Sequence, residues 1–376
     1  QAEVALTEQI IPLIREDQRT TTELVVINPN SGNSSATVTF FNSMGEEIAT
    51  TVRSLGSHAA LRLHLSALMS SPAAGDLSAR ISSSTAVIAT ATIETNNTLI
   101  FAAGQRLDFL SARRIAPHFI FGSGFDSSLI LTNPNATSVL ATVTAFSENG
   151  GPIFPGQQTP SSLQVTLAPY GSVSLSAGQI AQRPFTPSIE GWLRIDSANV
   201  PLTGLVILDR SSSSTAEILE SAPVDRMLYS QVSETATWYM GLALLNPSPE
   251  AANVQFGYMR SDGATYAERT IRLPGNSKFS SLVREILPQV GGQEHGTLLI
   301  RSSIAIYGVG ILGSFDGQFL TSLNPSLPPE GFAPDPILQK PVITRIEPDT
   351  DVRPGMTLRV TASEVSADAV FVLGDK

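Results

Sequence analysis

Short stretches of alternating apolar and polar residues fill most of this chain, and Asn, Gly and Pro interrupt them at short intervals. Alternation with period two, rich in β-branched and aromatic residues, predicts half-buried strands. Three segments show it at equivalent places: "SATVTFF", "LATVTAF" and "ANVQFGYM". An apolar run stopped by Asn-Pro precedes each of them: "LVVINPNSGNS" (24–34), "LILTNPNATSV" (129–139) and "LALLNPSPEAA" (242–252). Proline cannot donate to a ladder and pushes the preceding residue out of helical geometry, while Asn readily bends the backbone. The phrase therefore reads as a strand stop.

The pattern repeats. Asn28-Pro29, Asn133-Pro134 and Asn246-Pro247 lie 105 and 113 residues apart. Seventeen residues past each Asn comes a glycine turn, at Gly45, Gly150 and Gly263. Next come "SLGSHAALRLHLSAL", "LAPYGSVSLSAGQI" and "LPGNSKFSSLVREIL", each a Leu, a Pro/Gly turn, a strand and one helical turn. Each repeat closes with a strand starting near a glycine ("GDLSARISS", "GWLRIDSA", "GTLLIRSS") and a further strand ("AVIATATIE", "PLTGLVILD", "AIYGVGILG"). An insert near "PIFPGQQTPS" lengthens the second period. With about seven or eight short strands per period, each repeat predicts an antiparallel β-sandwich of immunoglobulin-like size. The expected division is residues 1–104, 105–222 and 223–330 for three tandem sandwiches. A Pro-rich linker and a partial fourth segment follow over 331–376. Neighbouring repeats should contact each other like beads in a row.

The fold class is thus all-β. The repeated pattern resembles the tandem β-sandwich repeats of large secreted bacterial surface proteins. Its carriers are the "LxNP" strand end, the Gly hairpin and the "G-apolar-x-apolar" strand, over residues 9–330. "PVITRIEPDTDVRPGMTLRV" resembles the start of an IPT/TIG domain, although only about half such a domain follows it. These resemblances imply a secreted or surface-displayed, non-enzymatic scaffold and transfer no functional residues. "QAEVALTEQIIPL" reads as a free strand, and one consequence is head-to-tail assembly in which this arm completes the C-terminal half-domain of another copy. The alternative is a longer native chain.

Composition narrows the function classes. The 376 residues hold 23 Lys and Arg against 33 Asp and Glu, a net charge of −10, and no Lys/Arg cluster. That balance excludes a nucleic-acid surface. No stretch approaches the ~20 apolar residues of a membrane-spanning helix. Without cysteine there is no disulfide and no thiolate metal or redox centre. "QAEVAL" fits the start of a mature secreted chain, or simply the edge of a longer sequence. The expected location is therefore extracellular or cell-surface.

Candidate chemistry is sparse. "GVGILG" (308–313) satisfies G-x-G-x-x-G, but it lies in a predicted strand, where Gly308 shares a small-residue column with Ala89 and Gly204. His58, His64, His118 and His295 lack metal-ligand spacing and read as surface or satisfied histidines. Asp349 and Asp351 share one loop, too few carboxylates for calcium by themselves. Asn33, Asn96 and Asn135 open N-x-[ST] sequons in predicted loops. Trp192, Trp238 and Tyr239 read as core or junction packing, with a sugar-stacking platform as the rival reading. The chain thus predicts no catalytic residue, cofactor or metal, and as partners either other protein subunits or surface glycans. The competing classes are an array of carbohydrate-binding modules and a hydrolase hidden in the second repeat's insert.

Overall fold

The computed structural model describes residues 5–68, 75–95, 98–107, 111–122, 124–154, 156–182, 189–210, 212–260, 263 and 265–328. It also describes the backbone of two further strands, Thr357–Thr361 and Asp368–Val372, which pair antiparallel. The rest of the expected fourth segment, with Asp349 and Asp351, lies outside the described residues.

The protein is all-β, antiparallel and sandwich-like. Repeat 1 contains β1 (Leu6–Ile14), β2 (Thr20–Ile27), β3 (Ser34–Phe41), β4 (Glu47–Leu55), β5 (Ala60–His64), β6 (Leu77–Thr95), β7 (Thr98–Ala103) and β8 (Gln105–Arg106). Repeat 2 contains β9 (Arg113–Phe121), β10 (Phe125–Thr132), β11 (Val139–Ser147), β12 (Ser161–Leu167), β13 (Ser172–Ser176), the short helix α1 (Ala177–Ala181), β14 (Ile189–Ser197), β15 (Thr203–Arg210) and β16 (Ser213–Ile218). Repeat 3 contains β17 (Val224–Glu234), β18 (Trp238–Asn246), β19 (Ala252–Met259), β20 (Thr265–Leu273), β21 (Ser277–Leu282), α2 (Val283–Ile286), β22 (Gln293–Ser314) and β23 (Leu320–Leu323).

One topology occurs three times. The first layer runs β4-β3-β6-β1, β12-β11-β14-β9 and β20-β19-β22-β17 in the three repeats. The second runs β5-β2-β6-β7, β13-β10-β15-β16 and β21-β18-β22-β23. In repeats 1 and 3 a single long strand, β6 or β22, passes through both layers, where the sequence reading expects two strands. Repeat 2 does break there. Between β14 and β15 stand Asn199, at φ 60°, and Pro201, which has no N–H for a ladder.

The free N-terminal strand is not found for residues 6–14. These form β1, hydrogen-bonded to β6 on one edge and to β8 on the other. Its length of apolar residues makes this the favoured state: Ile10, Ile11, Leu13 and Ile14 are all buried.

The recurrent Asn has more work than a strand stop. Asn28, Asn133 and Asn246 are each 0% exposed. The Asn133 amide nitrogen donates to the carbonyls of Thr137 and Ala168, both at 2.8 Å, and its Oδ1 accepts from the Asn135 N–H at 3.0 Å. Asn28 bonds Gly32, Gly56 and Asn30 in the same way, and Asn246 bonds Glu250, Pro274 and Ser248. Each Asn thus ties its own turn to the Pro/Gly turn about 30 residues later. Asn133→Ala removes all of these bonds and leaves the Thr137 carbonyl and the Asn135 N–H without partners, while the Ala168 carbonyl keeps only the Gly171 N–H. It is expected to cost about 3 kcal/mol, readable as a shift in urea midpoint at unchanged slope.

Candidate functional site at the repeat junctions

Each repeat meets the next through the same surfaces. The N–H of Ser172 donates to the Ser43 carbonyl at 3.0 Å, and the N–H of Lys278 donates to the Glu148 carbonyl at 2.7 Å. Ser172 and Lys278 hold equivalent places, opposite the residue before the buried Asn (Thr132↔Ser172, Leu245↔Lys278). Two residues before them stand Tyr170 and Asn276, both left-handed, at φ 57° and 52°; His58, at φ 53°, is their counterpart in repeat 1. The recurrent turn glycine of one repeat seats on this left-handed turn of the next. A Cβ on Gly45 would lie 1.7 Å from the Pro169 carbonyl oxygen, and one on Gly150 would lie 2.1 Å from that of Asn276. On Gly263 it would meet nothing within 4 Å.

The apolar cores also run across the junctions. Ile130, Leu205, Ile207 and Ala216 of repeat 2 belong to the core of repeat 1, and Ile311 and Leu320 of repeat 3 belong to that of repeat 2. Between repeats 2 and 3 a further cluster joins Ile115, Phe146 and Trp192 to Leu245 and Tyr307. Polar ties accompany these contacts. Thr132 donates to the Pro12 carbonyl at 3.1 Å, Gln105 to Gly204 at 3.0 Å, and Arg210 to the Tyr239 hydroxyl at 2.7 Å.

The second junction holds the main concentration of buried charge described. Lys278 from β21 has a fully buried side chain. Its Nζ lies 2.8 Å from Glu190 Oε1 and 2.9 Å from His118 Nδ1. Burial lowers the Lys278 pKa, but Glu190 opposes this and supports the charged amine. Burial also works against the charge of Glu190, yet the charge and hydrogen bond of Lys278 hold its carboxyl below the ordinary range. His118 is kept neutral by burial and by Lys278, so its Nδ1 accepts from the amine. Glu217, 1% exposed on β16, accepts from the backbone N–H of His118 at 3.4 Å through Oε1, and its Oε2 has no hydrogen-bond partner. Burial raises its pKa to about 8. Lys278, Glu190 and His118 therefore form a hydrogen-bonded ionic cluster, with Glu217 beside it as a neutral acid.

This arrangement has a pH signature. The folded state keeps the Glu217 proton up to about pH 8, whereas the unfolded carboxyl, near its ordinary value of 4.5, releases it. Its contribution to stability is complete below pH 4.5 and is lost as pH rises through 8. His118 acts oppositely, losing stability as pH falls below its ordinary value of 6.5. Stability is therefore expected to fall by about 1 kcal/mol between pH 6.5 and 8, and Glu217→Gln should flatten that limb. Urea titrations of both proteins at pH 6.5 and 8 check it; equal slopes against pH exclude the role given to Glu217.

The structure places the sequence candidates plainly. His58 and His295 sit at exposed left-handed positions, and His64 lies 3.9 Å from Glu23 on the surface. Only His118, among the four, joins a cluster, and its partners come from other strands. No group of three or more possible metal ligands occurs among the described residues. "GVGILG" lies inside β22, where Gly308 faces Met227 and Leu244, and Gly313 faces Tyr239. Trp192 is 6% exposed and stacks on Phe146 at 4.1 Å, and Tyr239 is 7% exposed. Trp238 packs edge-on against Phe319. These three rings form no open platform. The side chain of Asn135 is held by Asn133 and the Pro201 carbonyl; Asn33 is exposed, and Asn96 lies outside the described residues. Sequence reasoning missed Lys278 as a site residue. The available signal was its isolation, one of three lysines in a chain that otherwise uses arginine.

No family model matches the chain, and no curated protein matches it. Among solved structures, Streptomyces avermitilis alpha-L-rhamnosidase complexed with L-rhamnose is 9% identical, with 84% of this chain and 44% of that one covered and a TM-score of 0.17. The chain thus spans less than half the length of that protein. The structure of infectious bursal disease virus Gx strain is also 9% identical, covering 80% of this chain and 72% of that one, with a TM-score of 0.15. Similarity at this level supports no inference about fold or function.

Proposed function

We propose that this chain is a non-enzymatic, extracellular or cell-surface scaffold whose β-sandwich repeats are locked into one stiff body. The observation that carries the reading is the recurrence of one junction: the same glycine, the same left-handed turn and the same backbone hydrogen bond at both boundaries. A device that holds neighbouring repeats at a fixed angle suits a protein that transmits force or sets a distance. The buried chemistry serves the same end. Lys278, Glu190 and His118 satisfy one another and sit between repeats, where a fixed charged pair sets register. The acidic balance and the absence of cysteine suit an exported chain, and among the described residues no helix is long and apolar enough to cross a membrane. Other protein subunits remain the natural partners of such a scaffold, through surfaces other than β1.

Scanning calorimetry tests this reading. A locked body gives a single transition over repeats 1 to 3, with calorimetric and van't Hoff enthalpies equal. Three separable transitions, matching those of isolated repeats, would sink it.

A further inference from the structure

Stacking the repeats creates a groove that no single repeat contains. Its volume is about 350 Å³, and all three repeats line it: β6 and β7 from the first, β16 from the second, β17 and β23 from the third. Its position follows from the junction geometry. In repeats 2 and 3 the outer face of the second layer packs against the repeat before it, through Ile207, Ala216 and Ile311, whereas among the described residues the same face of repeat 1 carries the exposed Leu99 and Phe101. The open edge of repeat 3, at β17 and β23, borders the same space.

Repeat 1 departs from its sisters at this place. The pairs Ile207–Ala216 and Ile311–Ser322 set a buried isoleucine beside a small residue. The corresponding pair in repeat 1 is Thr92–Phe101, with the Phe101 ring 58% exposed and lining the groove. A large ring thus stands in solvent where covered repeats carry a small side chain. Around it, Thr90, Ser230, Gln231 and Asn324 line the groove, and their side chains make no hydrogen bond inside the protein among the described residues. No Asp, Glu, Lys, Arg or His lines it.

We infer that this groove binds a neutral oligosaccharide. An accessible aromatic ring offers an apolar face to the C–H side of a sugar ring. The two amides and two hydroxyls offer both donors and acceptors to sugar hydroxyls. A charged ligand would lose hydration without gaining a counter-charge. The volume lies at the lower end of the range for small-ligand sites, enough for one or two sugar rings. This site is distinct from the Trp192, Trp238 and Tyr239 platform, whose rings are packed away. It goes beyond the scaffold reading and needs only that the repeats stack as described.

The test titrates the full chain with cellohexaose, maltohexaose, xylohexaose and mannohexaose, with oligogalacturonate as the acidic probe and an unstructured Ser/Thr-rich peptide as the protein probe. Saturable binding of at least one neutral hexaose is expected, weakened about tenfold or more by Phe101→Ala. Gln231→Ala should weaken it as well, and Leu140→Ala, at an exposed position outside the groove, should leave it unchanged. Both groove residues are exposed, so the variants should melt with the parent protein, which calorimetry verifies. The inference is overturned by no saturable binding of any neutral hexaose, by binding of the acidic oligosaccharide or the peptide alone, or by affinity undiminished in both Phe101→Ala and Gln231→Ala. The calorimetric transition reports separately on the scaffold reading.

Discussion

Lys278→Ala is expected to lower the unfolding free energy by about 3–5 kcal/mol, measured by urea denaturation near pH 6.5. The reason is asymmetry. The amine is fully buried and supplies the hydrogen bonds to Glu190 Oε1 and His118 Nδ1. Removing it leaves a half-buried carboxylate and a buried imidazole nitrogen without the amine that compensates them, and an uncompensated buried charge costs more than the intact pair. Replacing both charges, as Lys278→Met with Glu190→Gln, should recover part of the loss, because the uncompensated charge disappears with its partner. A single-variant effect within about 1 kcal/mol of zero would mean that water replaces the amine at no cost, and that the cluster does not hold the junction.

Gly150→Ala is expected to separate repeat 3 from repeat 2, and Gly263→Ala is its internal control. Both glycines have positive φ, 74° and 80°, so both substitutions carry the same left-handed backbone cost of about 1–2 kcal/mol. Only at Gly150 does the new Cβ collide with another repeat, 2.1 Å from the backbone oxygen of Asn276. A backbone carbonyl inside a hydrogen-bonded turn cannot swing away as a flexible side chain can. The junction must open, and the Glu148–Lys278 backbone bond goes with it. The expected result is a second calorimetric transition in Gly150→Ala, with faster proteolysis between the two repeats, and a single, slightly lowered transition in Gly263→Ala. Equal behaviour of the two variants would show that the glycine serves only its hairpin.

The two substitutions divide what could be read from residues alone. Period-two alternation, the Asn-Pro stops and the glycine turns determined the strand content and the repeat, because these are local: they depend on where a side chain points and which φ a turn demands. That reading placed β2, β3, β10, β11, β18 and β19 correctly and recognised the glycine column of β22 as packing. It separated the two halves of β6 and of β22, because the serines at 82–84 and at 302–303 resemble a turn locally, whereas only repeat 2 has a proline, Pro201, that removes a ladder donor there. It left the N-terminal strand unpaired, because β1 finds its partners 63 to 97 residues ahead (Ile14↔Leu77, Gln9↔Arg106), beyond any local pattern.

What only the tertiary structure decided is the meaning of single residues. Asn133 looks like a turn former in sequence; in the fold it is a fully buried clamp on the Ala168 turn. Lys278 occupies an alternating strand position that any solvated lysine could fill, and its burial follows from the approach of Glu190 and His118 from a different repeat. Phe101 resembles a core aromatic, yet it points away from the core that Ile100 and Ala102 enter and is 58% exposed at the groove. Sequence periodicity reports which face of a strand is apolar. It carries no information about what covers that face, since contacts between repeats include pairs 88 to 160 positions apart that share no local signal.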